Sequence, residues 1–251
     1  MSTFFRLIRG DFKKLHRSSI VWMHIVSPIL IALLFIWYYS SSAINDISKV
    51  GYFMQALSIG FPLIIGIVCA MVVEQEALAG NFQELLMSKN KLLSFFSKIC
   101  MLTFMAAASL ITAVGILAIG LEFLLHKNPF SATFYGKIIL LLLFCEIFLY
   151  LLHLLCSFKF GTGASVGLGI SESLIAAIML TGLGDKVWKW IPCSWGGTAC
   201  DNYILLKTYK DISGTYMQEF QSTLYIFATA TVIFLLISFL WFNYFEGRKE
   251  N

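Results

Sequence analysis

The sequence predicts an all-α polytopic membrane protein: six transmembrane helices, an in-plane amphipathic helix at the N-terminus, and a short cytoplasmic helix between the second and third spans. Hydrophobic residues make up 59% of the 251 positions and charged residues 13%, against about 25% charged residues in soluble domains. Six stretches approach the ~20 apolar residues that cross a hydrocarbon core of about 30 Å. They are residues 20–40, 53–73, 100–121, 137–156, 163–184 and 223–244. No repeat or linker divides the chain, so we expect a single transmembrane domain over residues 1–251.

The N-terminal segment has an amphipathic pattern. Phe5, Ile8, Phe12 and Leu15 recur at helical spacing and form one apolar stripe. Basic residues occupy the other directions, which is typical of a helix lying in the membrane interface, here over residues 3–17. The alternative is that these basic residues only form the positive flank that orients the first span.

The distribution of basic residues predicts the orientation of the chain. With the N-terminus inside, the inner segments carry eleven Lys and Arg residues and the outer segments seven. The positive-inside rule therefore favours a multi-pass plasma-membrane protein with both termini in the cytoplasm. The net charge of +4 is explained by topology and by attraction to anionic lipid, so no nucleic acid partner is expected.

The segment between the second and third spans, residues 74–99, has the sequence pattern of a short helix rather than that of an irregular loop. Glu74 and Glu76 close the second span, and Ala-Gly-Asn at 79–81 interrupts the apolar run. Asn81 followed by Glu84 has the spacing of a capping box, which predicts that a short helix starts there. The apolar residues of this helix fall on one face, either to rest on lipid or to fit a groove on another protein. They are Phe82, Leu85 and Leu86.

Polar residues also fall inside the predicted spans. Glu146 and Glu172 each lie about ten residues from a helix end, so both are expected near the bilayer midplane. A charge there costs at least ~2.5 kcal/mol, so each carboxyl should be neutral or paired. His153 lies on the same helix face as Glu146, roughly 10 Å further along the axis, too far to pair with it directly. Either these residues hydrogen-bond to neighbouring helices, or they form a polar path for a cationic substrate or a mobile part of a gate.

The outer segment, residues 185–222, is rich in aromatic residues. Trp188, Trp190 and Trp195 suit the headgroup layer, where amphipathic rings collect. Anchoring is the simplest interpretation, and recognition of a departing substrate is the alternative. Cys193 and Cys200 lie in this segment, and their spacing permits a disulfide in an oxidising exterior without requiring one.

Motifs for catalysis are missing from the sequence. No G-x-x-x-x-G-K-[ST] phosphate loop and no H-E-x-x-H zinc motif occurs, so we expect neither a cofactor nor a metal on this chain. Gly163 and Gly167, followed by Ser171, form a small-residue stripe suited to close helix packing. An intramembrane enzyme and a membrane sensor or scaffold remain as alternatives to a transport subunit.

The loop also carries a family resemblance. Its pattern, Glu-x-Glu, then Gly-Asn-Phe-Gln-x-Leu-Leu, then a basic segment ending in Ser-Lys, resembles the first cytoplasmic loop of type-2 ATP-binding-cassette exporter permeases. Within these, the chain is most similar to permease subunits of lantibiotic self-immunity transporters of Gram-positive bacteria. Chain length, six helices, the basic N-terminal helix and the long segment after the fifth helix agree along the chain.

The resemblance implies a function and a set of partners. Residues 74–88 would be the coupling element that docks on a separate ATPase subunit, which would hold ATP and Mg. Two ATPase subunits would work with two permease subunits of different sequence in the bacterial cytoplasmic membrane. The complex would expel an amphiphilic antimicrobial peptide, a bacteriocin of the lantibiotic class, and so give resistance. Export of another amphiphile or drug is the alternative.

Overall fold

The computed structural model describes residues 3–15, 18–88, 90–209 and 213–248. These residues form nine α-helices and no strand. The α-helices are α1 (Thr3–Leu15), α2 (Ser19–Ser41), α3 (Asp46–Leu78), α4 (Gln83–Leu86), α5 (Lys91–Ile119), α6 (Ala132–Phe160), α7 (Thr162–Met179), α8 (Trp195–Thr208) and α9 (Ser213–Asn243). The all-α polytopic fold is confirmed, because six of these helices are long and apolar enough to cross a membrane.

The six long helices are α2, α3, α5, α6, α7 and α9. Most extend beyond the stretches predicted from hydropathy, and a π-helical turn, Gly120–Leu124, prolongs α5. The exception is α7, which ends at Met179, before the predicted limit at residue 184. Short 3-10 turns at Trp188–Trp190 and Pro192–Ser194 lead from there into α8.

Helix α3 lies at the centre of the bundle, packed against α6, α7 and α8, while α2 packs on α5. Helix α3 approaches α7 closely because glycines line their contact. A Cβ atom added to Gly169 would lie 2.6 Å from the carbonyl oxygen of Pro62, and one added to Gly66 would lie 2.7 Å from that of Ser165. Gly163 and Gly167 of the predicted stripe have open space beside them instead, so that stripe does not make the contact.

The N-terminal helix α1 lies against the start of α5. Phe4 stacks on Phe96, and Phe12 contacts Phe104 edge-to-face. Residues 16 and 17 of the predicted interfacial helix lie outside the described residues. The end of the bundle that carries α1, α4 and the residues after α9 is called the α1 end below, and the end that carries α8 is called the α8 end.

Candidate functional site

The loop between α3 and α5 turns through three consecutive residues with positive φ: Gly80 (111°), Asn81 (49°) and Phe82 (66°). Backbone hydrogen bonds close the turn, because the amides of Asn81 and Phe82 donate to the carbonyls of Ala77 and Glu76. Left-handed conformations cost a non-glycine residue about 1 to 3 kcal/mol. Helix α4 follows at once, over Gln83–Leu86.

The capping box predicted from Asn81 and Glu84 is wrong. The residue that precedes α4 is Phe82, and no side chain caps the helix. Asn81 stands one residue earlier, inside the left-handed turn. A capping side chain needs extended backbone at the position immediately before the helix, and this turn does not provide it.

The turn also decides which way the apolar face of α4 points. Phe82 and Leu85 are buried in the chain's own core, and Leu86 packs partly against the same cluster. The Phe82 ring lies 5.8 Å from that of Phe158 and 5.5 Å from that of Phe245, centroid to centroid. The predicted ridge of Phe82, Leu85 and Leu86 is therefore a packing surface, and it is not presented to a partner.

Other residues form the exposed surface of this loop. Leu78 is 80% exposed and Met87 84%, although both are apolar. Glu84 stands between them in sequence with an exposed side chain. We call Leu78, Glu84 and Met87 the loop tip. The sequence offered no signal for Leu78 and Met87, because each looks like the edge of a longer apolar pattern.

Ion pairs hold the base of the loop to α1 and α5. Lys98 lies 2.6 Å from Glu76 and 3.1 Å from Asp11, measured from Nζ to the carboxylate oxygen. Lys14 bridges Glu76 and Glu84, each at 3.0 Å. Burial alone would lower the pKa of Lys14, but its hydrogen bonds to Glu84 and Glu76 outweigh burial and raise that pKa. The network therefore joins the N-terminal helix to both sides of the loop.

A second set of contacts holds the loop from the chain's C-terminal side. The Arg248 guanidinium donates to Glu74 at 3.5 Å and to the Ser157 carbonyl at 3.0 Å, and it lies 5.6 Å from the centre of the Phe82 ring. Thr162 also donates to Glu74, at 3.2 Å. Nothing in the sequence indicated this role for Arg248, which is only one of the eleven basic residues counted in the inner segments.

The polar residues inside the bundle divide into two groups. His153 Nε2 lies 2.8 Å from Glu172 Oε2, and its Nδ1 lies 3.0 Å from the hydroxyl of Ser165. That hydroxyl is also 3.0 Å from the Gly66 carbonyl. Glu146 stands apart, buried and with its Oε1 unpartnered among the described residues. The structure therefore joins two of the three predicted residues, and the partner of His153 comes from the following helix.

The predicted aromatic surface of the outer segment is corrected in part. Trp190 is exposed, whereas Trp188 and Trp195 are buried. The Trp195 ring stacks on Phe227 at a centroid distance of 4.2 Å, and its indole donates to the Lys189 carbonyl. Rings buried in protein cannot serve as headgroup anchors. Trp188, in the turn before α8, and Trp195, at the start of α8, instead pack on Phe227 of α9.

Cys193 and Cys200 are free thiols in the structure. Cys193 packs in a core cluster that includes Leu149 and Ala176, and Cys200 packs in a separate cluster formed mainly by α2, α3, α5 and α6. The disulfide that the spacing permits is therefore not formed. Among the described residues, no group of three His, Cys, Asp or Glu side chains is placed to hold a metal ion.

Fold and site together define a polytopic helical membrane protein with an N-terminal helix packed on α5 and a short helical loop braced at one end of the bundle. The family model of the ABC-2 family transporter protein matches residues 7–182. This is more than half of the chain, and the chain belongs to that family. No curated protein and no solved structure matches it. The protein is therefore a membrane-spanning permease subunit of an ATP-binding-cassette exporter, and its role is transport.

Proposed function

We propose that this permease expels an amphiphilic antimicrobial peptide of the lantibiotic class from the membrane and so protects the bacterium that carries it. The observation that carries the proposal is the braced loop between α3 and α5. Its pattern is the one that resembles lantibiotic self-immunity permeases, and buried and partly buried ion pairs fix its base to three helices. A loop held in this way transmits a push to α3 and α5 as a rigid body.

The loop tip is the surface proposed to meet the ATPase. Leu78 and Met87 supply exposed apolar area, and Glu84 supplies a charge beside them. Glu76 and Glu74 act behind this surface as positioning residues, because their carboxylates are held by Lys98 and Arg248. Phe82 and Leu85 belong to the same supporting layer. The proposed coupling element is thus the loop tip with a rigid support beneath it.

The proposed assembly contains two copies of the ATPase and a second permease subunit of different sequence. ATP and Mg would bind to the ATPase, since this sequence has no phosphate loop. The α1 end would face the cytoplasm, with both termini on that side. Basic residues on the N-terminal flank and the position of the loop support this orientation.

The experiment is a sensitivity assay in the native host. In a strain from which the gene for this permease is deleted, the minimum inhibitory concentration of at least one lantibiotic should fall several-fold. The minimum inhibitory concentrations of non-peptide amphiphiles should stay unchanged. Wild-type protein should restore resistance. Unchanged sensitivity to every lantibiotic tested would refute the peptide substrate, and a change confined to drugs or other amphiphiles would favour that alternative.

A matched pair of variants tests the loop tip in the same assay. Met87→Asp should abolish complementation while the chain still inserts, because a buried unpaired charge is costly at an apolar contact. Leu183→Asp alters a similarly exposed apolar residue at the opposite end of the structure, and it should complement like the wild type. Full resistance with Met87→Asp would exclude the loop tip as the docking surface.

A further inference from the structure

A cavity of about 530 Å³ opens within the bundle between α2, α3, α5 and α6. Its walls are almost wholly apolar, with Phe61, Ala106 and Leu110 among them. Leu30 and Leu34, which also line it, are well exposed on the outer surface of α2. The cavity is therefore open at the side of the bundle, along a helix long and apolar enough to span the membrane. Its volume falls within the roughly 300 to 1,000 Å³ of typical small-molecule sites.

Two buried polar side chains line this cavity, and each has one atom without a hydrogen-bond partner among the described residues. Glu146 is 4% exposed, and its Oε1 has no hydrogen-bond partner in the part of the chain that the structure describes. His24 is 6% exposed, and its Nε2 is likewise unpartnered among the described residues. The Nδ1 of His24 lies 2.8 Å from the Ile20 carbonyl oxygen. A carbonyl only accepts, so Nδ1 carries the proton and Nε2 of the neutral ring is an acceptor.

The cavity thus combines an apolar wall with acceptors that have no donor. A buried acceptor without a hydrogen-bond donor destabilises the protein, and an unpaired carboxylate in the bilayer is costlier still. A ligand with a protonated amine would supply several N–H donors and would neutralise the carboxylate charge. The other intramembrane carboxyl already has its partner, because Glu172 is bonded to His153, and it does not line the cavity.

We propose that this cavity binds a small hydrophobic amine, with its ammonium group on Glu146 and its apolar body among the side chains of α2, α3 and α5. His24 is a further acceptor for the amine or for a water bound beside it. The site is formed by one chain alone. A ligand can therefore occupy it without nucleotide or a second subunit, and its binding can be measured separately from export of the peptide proposed above.

The test is photolabelling of the full-length protein in lipid nanodiscs without nucleotide. The probe is dodecylamine with a diazirine on its alkyl chain, and the matched probe is the corresponding dodecanol. We expect the amine to label peptides of α2, α3, α5 or α6 and to reach half-saturation at a concentration at least about tenfold lower than the alcohol requires. Equal labelling by both probes, or labelling confined to other helices, would overturn the proposal.

Two substitutions of intramembrane glutamates assign the amine contact. Glu146→Gln should raise the half-saturating concentration of the amine about tenfold or more and leave that of the alcohol unchanged. Glu172→Gln removes a carboxyl of the same kind outside the cavity, and it should leave amine labelling unchanged. An unaltered amine affinity in Glu146→Gln would show that the carboxyl is not the contact.

A cavity-filling variant tests whether the probe binds in this cavity even if Glu146→Gln fails to fold. Gly60 lines the cavity, and a Cβ atom added there would meet nothing within 4 Å. Gly60→Leu should therefore fold normally and keep Glu146, but abolish labelling by occupying the space of the ligand. Undiminished labelling in folded Gly60→Leu protein would place the probe elsewhere and refute the site. Loss of peptide export would not by itself affect this outcome, since the assay measures binding at equilibrium.

Discussion

Lys98 and Glu76 form a buried ion pair that closes the base of the loop between α3 and α5. Their Nζ and Oε1 atoms lie 2.6 Å apart, and each side chain is 4% exposed. Glu76 lies in the last turn of α3, and Lys98 lies near the start of α5. The pair therefore fixes the distance between the two ends of the loop.

Removal of one member of this pair should destabilise the protein strongly. Lys98→Met leaves the Glu76 carboxylate buried with only Lys14 beside it, and breaking a buried pair costs about 3 to 5 kcal/mol. The double variant Lys98→Met, Glu76→Met removes both charges and should recover most of that loss. The measurement is the apparent melting temperature of the purified protein in detergent.

Lys13→Met supplies the control for this pair, because Lys13 is exposed on α1. This substitution should change the melting temperature little. If Lys98→Met had no larger effect than Lys13→Met, the ion pair would not be what secures the base of the loop.

The residues after α9 should stabilise the loop through Phe245. Its ring is 6% exposed and contacts Phe82, Phe158 and Phe242. Phe245→Ala should cost about 3 to 5 kcal/mol because it leaves a cavity in this aromatic cluster. Hydrogen exchange should then become faster in residues 80–88, since the cluster supports the turn at Phe82.

The neighbouring Tyr244 is the matched control. It is 79% exposed, so Tyr244→Ala should change stability by less than about 0.5 kcal/mol. Equal effects of the two substitutions on exchange in residues 80–88 would show that the C-terminal residues do not brace the loop.

These relationships mark the limit of what the sequence could predict. The six spans were predictable because hydropathy over ~20 residues depends only on local composition. The direction in which the apolar face of α4 points could not be predicted. It depends on left-handed backbone at Asn81 and Phe82, and residues other than glycine seldom adopt that conformation. A pattern of spacing identifies an apolar face but does not say whether the protein itself covers that face.

The pairing of His153 with Glu172 inside the bundle could not be predicted either, because it depends on contacts between two helices. Sequence analysis compared His153 with Glu146, because both lie on one helix and axial distances can be calculated there. The partner, Glu172, lies on α7, and its approach depends on how closely α6 and α7 pack. Trp188 and Trp195 illustrate the point again, since amphipathic rings suit both a headgroup layer and a protein core.

Asp201 on α8 should make stability depend on pH. Burial raises the pKa of Asp201 to about 6, and the hydrogen bond donated by Gln55 opposes this rise only in part. The folded protein therefore binds a proton that the unfolded chain releases near pH 4. Stability is lost as pH rises from about 4 to about 6, and the loss is complete above that range, at about 2 to 3 kcal/mol.

Asp201→Asn removes this titration and keeps an amide oxygen for Gln55. The variant should melt at a higher temperature than the wild type near pH 7.5, with the difference shrinking towards about pH 4. Asp185→Asn, at an exposed carboxylate of the same end, controls for the loss of a negative charge. A difference between Asp201→Asn and wild type that stays constant with pH would contradict the prediction.

Two glycines of α7 should respond in opposite directions to the same substitution. A Cβ atom added to Gly169 would lie 2.6 Å from the Pro62 carbonyl oxygen and 3.0 Å from Leu63 Cα. Both are backbone atoms of α3, which cannot rotate away, so Gly169→Ala should force the helices apart and cost about 1 to 3 kcal/mol. A Cβ atom added to Gly167 would meet nothing within 4 Å, so Gly167→Ala should gain up to about 1 kcal/mol of helix propensity.

Melting temperatures of the isolated permease separate these cases, with Gly169→Ala expected below the wild type and Gly167→Ala at or above it. Equal destabilisation by both would mean that α3 and α7 do not meet at Gly169 as described. The Gly167 variant also reports on the assembled exporter. If it melts normally alone but lowers export, then the open glycine face of α7 is covered by another subunit, because only a neighbour absent from the isolated chain would exclude a single methyl group.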